Sequence, residues 1–209
     1  MPTAPRLIHA IPLLALLCAA CSSLSTETPS TPLPGNWVLD SAASESPGPK
    51  VDKLVSKQEN TWRARMTRNR PPGGGIADTD SGDLEGPDGS LRIRPDFAGM
   101  RAELKDAMSP PPKLHVEVNP EQIRLNSGDL PAIDYHPGED FSRFDEYGTA
   151  KVECGWSDHK FVIDARYTNG AERQESYGLD TSGDELVVTR RFNEPGLGRI
   201  ETRSVYRRA

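Results

Sequence analysis

AKVECGWSDHKFVIDARYTNG, residues 150–170, decides the fold of this chain. Ala150, Val152, Cys154 and Trp156 alternate with Lys151 and Glu153. After a Ser157-Asp158-His159 turn, Phe161, Ile163, Ala165 and Tyr167 repeat the pattern. A period of two belongs to a strand with one oily and one wet face. Asn169-Gly170 then supplies the residue pair that accepts the positive φ angles of a tight hairpin turn.

The same period extends in both directions. Upstream it runs through Leu114/Val116/Val118, Ile123/Leu125 and Ile133/Tyr135, with Asn119-Pro120 and Gly128-Asp129 as turns. Downstream it continues through Tyr177/Leu179, the Gly183-Asp184 turn, Leu186/Val188/Phe192 and Ile200 to Tyr206. Gly35-Asn36-Trp37-Val38-Leu39-Asp40 adds a first strand far from the others. The prediction is a mainly β (α+β) fold: an antiparallel up-and-down β-barrel or sandwich of about eight strands, with the Trp37 strand beside the last one. Closure of that kind removes exposed sheet edges.

Between the first strand and the rest, the period is about 3.6. Val51, Leu54, Val55, Trp62 and Met66 share one face of a helix from Lys50 to about Arg68, with Lys53, Lys57 and Arg68 towards the other side. Seven Lys and Arg between positions 50 and 70 leave two readings. One is a helix packed on the domain with its lysines in water; the other is a basic amphipathic helix on anionic lipid or cell-wall polymer. A second helix runs from Pro95 or Asp96 to Met108, with Phe97, Met100, Leu104 and Met108 aligned and Pro110-Pro111-Pro112 ending it. The Gly-rich acidic stretch between the helices, to Gly89, reads as a flexible loop. Its Asp78–Asp83 segment lacks the spacing and the bidentate glutamate of an EF-hand.

The front end reads as an export signal over residues 1–20. Arg6 is its positive region, Leu13–Leu17 its apolar core, and Ala19-Ala20 lead into Cys21. The apolar run of about 14 residues is too short to span a bilayer. Ser22 to Pro34, rich in Ser, Thr and Pro, reads as an extended tether, leaving residues 35–209 as one domain.

The formal charge is −6, and −7 once Arg6 is removed, which argues against nucleic acid as a partner. Apolar content of 35% and aromatic content of 6% suit one folded module with long irregular segments. With Cys18 lost and Cys21 modified, Cys154 is the remaining thiol, so stability comes from a core and not from disulfides.

No chemical motif rises above this background. His115 lies on the wet side of its strand, His136 in a loop and His159 at a hairpin tip, and no two have metal-ligand spacing. Ser157-Asp158-His159 cannot converge as a triad, because successive side chains point apart. Glu139-Asp140 and Asp145-Glu146 read as solvated turn carboxylates. The expectation is no catalytic residue, no metal and no cofactor.

Two resemblances add to this. Leu17-Cys18-Ala19-Ala20-Cys21 resembles a bacterial lipobox, departing from it at Cys18. It implies a diacylated Cys21 as the mature N-terminus, and Ser22 after it implies the outer membrane; a soluble periplasmic or secreted protein cleaved after Ala20 is the alternative. Gly35-Asn36-Trp37 after Leu33, with Arg203, Arg207 and Arg208 near the end, resembles a calycin or lipocalin-type barrel. The Trp-Val-Leu-Asp opening with Val205-Tyr206-Arg207 is similar to uncharacterised proteobacterial lipoproteins. The barrel resemblance implies that Trp37 closes one end under a stacked arginine, here expected to be Arg207.

The functional expectation is a non-catalytic, membrane-anchored periplasmic module. It would hold a small apolar ligand within a barrel lined by Val152, Trp156, Ile163, Tyr167 and Val188. The alternatives are an envelope protein-interaction or protease-inhibitor-like protein acting through the helical insert and, third, a hydrolase.

Overall fold

The computed structural model describes residues 24–30, 32–68, 83–85, 91–93, 95–128, 131–145 and 147–209, the segments 83–85 and 91–93 by backbone only. The signal, Cys18, Cys21 and most of the predicted acidic loop lie outside the described residues.

Ten strands form one antiparallel sheet: β1 (Gly35–Leu39), β4 (Lys113–Val118), β5 (Ile123–Asn126), β6 (Ile133–Tyr135), β7 (Phe141–Asp145), β8 (Gly148–Ser157), β9 (Lys160–Tyr167), β10 (Glu172–Leu179), β11 (Glu185–Glu194) and β12 (Gly198–Arg208). A two-stranded antiparallel pair joins β2 (Asp83–Glu85), inside the stretch predicted as loop, to β3 (Leu91–Ile93), just beyond it. The sheet order is β6-β5-β4-β1-β12-β11-β10-β9-β8-β7. Consecutive strands pair from β4 to β6 and from β7 to β12, and β1 joins the two runs by pairing with β12, as predicted for the Trp37 strand, and with β4.

Two features differ from the expectation. The sheet has ten strands where about eight were predicted, and β7 is one that periodicity missed. Its inward positions are Phe141, Arg143 and Asp145, while Phe144 is 81% exposed, so charge sits where the pattern demands oil. The ladder also does not close, since β6 and β7 end the order. Tyr135 and Phe141 bridge that seam with ring centroids 5.9 Å apart.

The two-helix insert follows the first strand as expected: α1 (Pro47–Arg68) and α2 (Phe97–Met108). Asp96 caps α2, its Oδ1 accepting from the Ala98 and Gly99 amides. Val51 and Val55 of α1 and Leu104 and Met108 of α2 are buried in the common core. Trp62 packs edge-on against Phe97, and Arg101–Glu59 and Lys105–Asp52 ion pairs tie the helices together. The helices therefore belong to the domain, and Trp62 is spent on an internal contact.

The register gives the molecule two ends. The helices sit at the end carrying the β7–β8, β9–β10 and β11–β12 turns: the Tyr147 hydroxyl donates to the Glu103 carbonyl, and Leu54 lies against Gly198. The opposite end, the floor, carries the β8–β9 and β10–β11 turns and the start of β1. Trp37, 1% exposed, plugs it.

The guanidinium over that indole belongs to Arg208, with Cζ 4.5 Å from the ring centroid, and not to Arg207. Trp37 faces Arg208 across the β1–β12 ladder, so both side chains emerge on one side of the sheet and Arg207 on the other. There Arg207 pairs with Asp40 at 2.7 Å.

The described residues 24–30 and 32–34, read from sequence as a tether, are bonded to the floor. Ser25 exchanges two 2.8 Å backbone hydrogen bonds with Trp156. Leu33 is fully buried and its carbonyl accepts from the Trp37 indole. Arg208 donates to the carbonyls of Pro32 and Pro34. A Ser/Thr/Pro composition hides such a strap, because most of its attachments are backbone groups.

Candidate functional site

Inside the sheet the two halves differ. Towards the floor, Trp156, Phe161, Tyr135 and Tyr177 form a ring cluster with centroids 5.5–6.4 Å apart. Val152, Trp156, Ile163, Tyr167 and Val188, the expected lining, are all buried in this continuous core. Towards the helices the interior opens into a cavity of ≈ 830 Å³. Its rim is the C-terminal turn of α2 with Pro110–Lys113 on one side and Ser127, Gly128, Pro131 and Ile133 on the other. Its wall is made by Tyr135, Arg143, Asp145, Arg173, Glu175, Tyr177 and Arg190.

That wall is charged and interior. On β10, Arg173, Glu175 and Tyr177 share the inward face, and β11 adds Arg190 beside them. Glu175 is 8% exposed and Arg190 5%. The Glu175 carboxylate pairs with Arg173 at 2.5 Å and Arg190 at 3.5 Å, and accepts a short hydrogen bond from the Tyr177 hydroxyl. Burial on its own would raise the Glu175 pKa; the two guanidiniums and the phenol outweigh it and hold the carboxyl far below its ordinary value. From β7, Arg143 meets Asp145 at 3.0 Å, and the Tyr167 hydroxyl donates to the same carboxylate at 2.8 Å. Burial pushes Tyr135 up to about 12, so it stays a neutral phenol.

Three guanidiniums therefore face two carboxylates, a surplus of one positive charge. Arg143 Nε and Arg190 Nη1 are buried without a hydrogen-bond partner among the described residues, as are Thr202 Oγ1 and Ser204 Oγ on the neighbouring strand. A buried donor left unpaired costs about 1–3 kcal/mol, more when charged, so native interiors keep few. An anion entering from the rim would meet the faces of Arg143 and Arg190 that line the cavity.

Sequence reading missed this cluster. One signal was present: Arg190 stands two residues from both Val188 and Phe192, at the apolar parity of its strand. On β10 Arg173 and Glu175 share the parity of Tyr177 and Leu179, but the cue is weaker, because the alternate positions Gln174 and Ser176 are polar too.

The other chemistry-bearing side chains lie apart. His115 bonds Asn36 and Glu117 on the outer face, His136 lies in the β6–β7 loop and His159 is exposed at its turn. Among the described residues no group of His, Cys, Asp and Glu is arranged to hold a metal. Cys154 is 2% exposed, its thiol donates to the His136 carbonyl at 3.3 Å, and burial raises its pKa to about 11. Native protein should therefore resist iodoacetamide at pH 8 over hours and take up one equivalent at Cys154 in urea, as read by intact mass. Rapid native labelling at Cys154 would show that the strand around it opens.

No family model matches the chain, and no curated protein matches it. Among solved structures it is similar to the REP1-NXSQ fatty acid transporter, at 14% identity over 85% of this chain and 96% of that one, TM-score 0.45. It is also similar to an abundant heat soluble (SAHS) protein of Ramazzottius varieornatus, at 9% identity, 88% and 99% coverage and TM-score 0.46. A fatty acid-binding protein from Drosophila melanogaster brain aligns at 14% identity, 82% and 95% coverage and TM-score 0.43.

Proposed function

We propose that this chain is a non-catalytic binding module that takes one small amphipathic anion, with its charged head on Arg143 and Arg190 and its apolar part towards the rim. We propose further that it is displayed as an outer-membrane lipoprotein acylated at Cys21, a reading supported by the lipobox-like Leu17–Cys21. The ligand reading is carried by one observation: a cavity within the ordinary range for small ligands, whose wall sets three guanidiniums against two carboxylates. An apolar molecule without a charged head would leave that surplus positive charge without a counter-ion.

Dansyl-undecanoic acid and its methyl ester test this on the purified protein. The acid should bind with enhanced fluorescence and the ester at least tenfold more weakly. Arg190→Gln and Arg143→Gln should each weaken the acid by roughly 10–100-fold, one charged hydrogen bond's worth, with folding checked by urea titration. Equal binding of acid and ester would remove the head-group site; binding of neither would remove the ligand reading.

A further inference from the structure

We infer that, once anchored, the domain stands on its floor with the cavity mouth turned away from the membrane that holds it, so that the site exchanges its ligand with the aqueous side. This rests on the acylation of Cys21 proposed above, and it goes beyond that proposal by fixing which end of the barrel the anchor holds.

The geometry lies in the strap. Its first described residue, Leu24, sits against β8 at the floor, and Ser25 occupies the edge of β8 beyond the last residue paired with β7. The strap is fitted there and not merely adjacent. A Cβ on Gly155 would come within 2.7 Å of Leu24 Cβ and 2.9 Å of the Ser25 carbonyl. A Cβ on Gly138 would meet Thr26 at 2.5 Å. From there the strap crosses the floor to β1, held by the Arg208 and Trp37 hydrogen bonds.

Three Cα–Cα steps separate Cys21 from Leu24, a reach of at most about 11 Å when fully extended. The mouth lies at the other end of β8, eight residues from Trp156 and about 26 Å away at strand rise. A short leash on the floor therefore keeps the bilayer at the floor. The charges agree in sign with an upright stance. At the floor, exposed Glu121, Glu139, Asp158 and Asp184 stand against exposed Lys160, Arg207 and Arg208, so that end carries no basic surplus to spread it over lipid phosphates. Lys53, Lys57, Arg65 and Arg68 are exposed on α1 at the mouth end, facing the aqueous compartment.

The test uses the full acylated protein, extracted from membranes and reconstituted into vesicles of phosphatidylethanolamine and phosphatidylglycerol containing a rhodamine-labelled lipid. A donor dye goes on a single introduced cysteine, either Glu121→Cys at the floor or Ala102→Cys on α2 at the mouth; Cys154 stays unlabelled in native protein. Energy transfer to the lipid should be at least twofold more efficient from the floor than from the mouth. In Gly155→Ala, with folding confirmed by circular dichroism, loss of the strap's seat should narrow the difference. Equal transfer from both positions, transfer greater from the mouth, or an unchanged ratio in Gly155→Ala would overturn the inference while leaving acylation intact. An N-terminal mass without acyl chains would overturn the acylation reading itself and the orientation with it.

Discussion

Glu175→Gln should destabilise the folded domain by about 3–5 kcal/mol at pH 7, among the largest losses open to any single substitution here. The substitution keeps volume and removes one negative charge from between two guanidiniums, of which Arg190 is 5% exposed. Buried Arg190 and half-buried Arg173 would then be two like charges without their shared counter-ion, and the Tyr177 hydroxyl would lose its carboxylate acceptor. Urea titration followed by circular dichroism measures the loss. The pH profile gives an independent sign. Folding holds the Glu175 carboxyl well below its unfolded value of about 4.3. Its stabilisation is therefore complete above that value and is lost as the pH falls below it, towards the folded pKa. Wild type should lose stability steeply below about pH 4, and Glu175→Gln should be weaker at neutral pH with a shallower acid slope. A glutamine variant as stable as wild type at pH 7 would mean that the guanidiniums find solvent, and that the wall of the cavity is wet without a ligand.

The same cluster shows where the sequence was readable and where it was not. Both helices, and strands such as β8 and β9, were legible because burial and hydrophobicity coincide there: Ala150, Val152, Cys154 and Trp156 are inward and apolar at a strict period of two. The strap was not, since Leu33 is its one fully buried apolar side chain and the rest is held by backbone carbonyls. Nor was β7, whose inward Arg143 and Asp145 break the pattern. The candidate site itself was invisible for the same reason. A charged residue in an antiparallel strand reads as solvent-facing, and Arg173, Glu175 and Arg190 face the interior only because they satisfy one another. Arg208 was mistaken for Arg207 by one residue, and in a strand one residue is the difference between the two faces of the sheet.

That one-residue difference gives the second large effect. Trp37→Ala should cost about 3–5 kcal/mol, since it empties a fully buried indole from the floor. Trp37→Phe keeps most of the volume but leaves the Leu33 carbonyl without its indole donor, and should cost about 1–3 kcal/mol. The two arginines then separate. Arg208→Ala removes a guanidinium over the ring and its bonds to Pro32 and Pro34, a loss of about 1–2 kcal/mol. Arg207→Ala breaks exposed ion pairs and should stay within about 0.5 kcal/mol of wild type. Chemical denaturation of the four variants checks the order. Limited proteolysis adds a second reading, because Trp37 and Arg208 hold the strap as well as the floor: Trp37→Ala and Arg208→Ala should be cut within residues 24–34 before the barrel is touched. If Arg207→Ala were the more damaging of the two, the indole would not be closed as described; if neither floor variant exposed the strap, residues 24–34 would owe their position to the Ser25–Trp156 pairing alone.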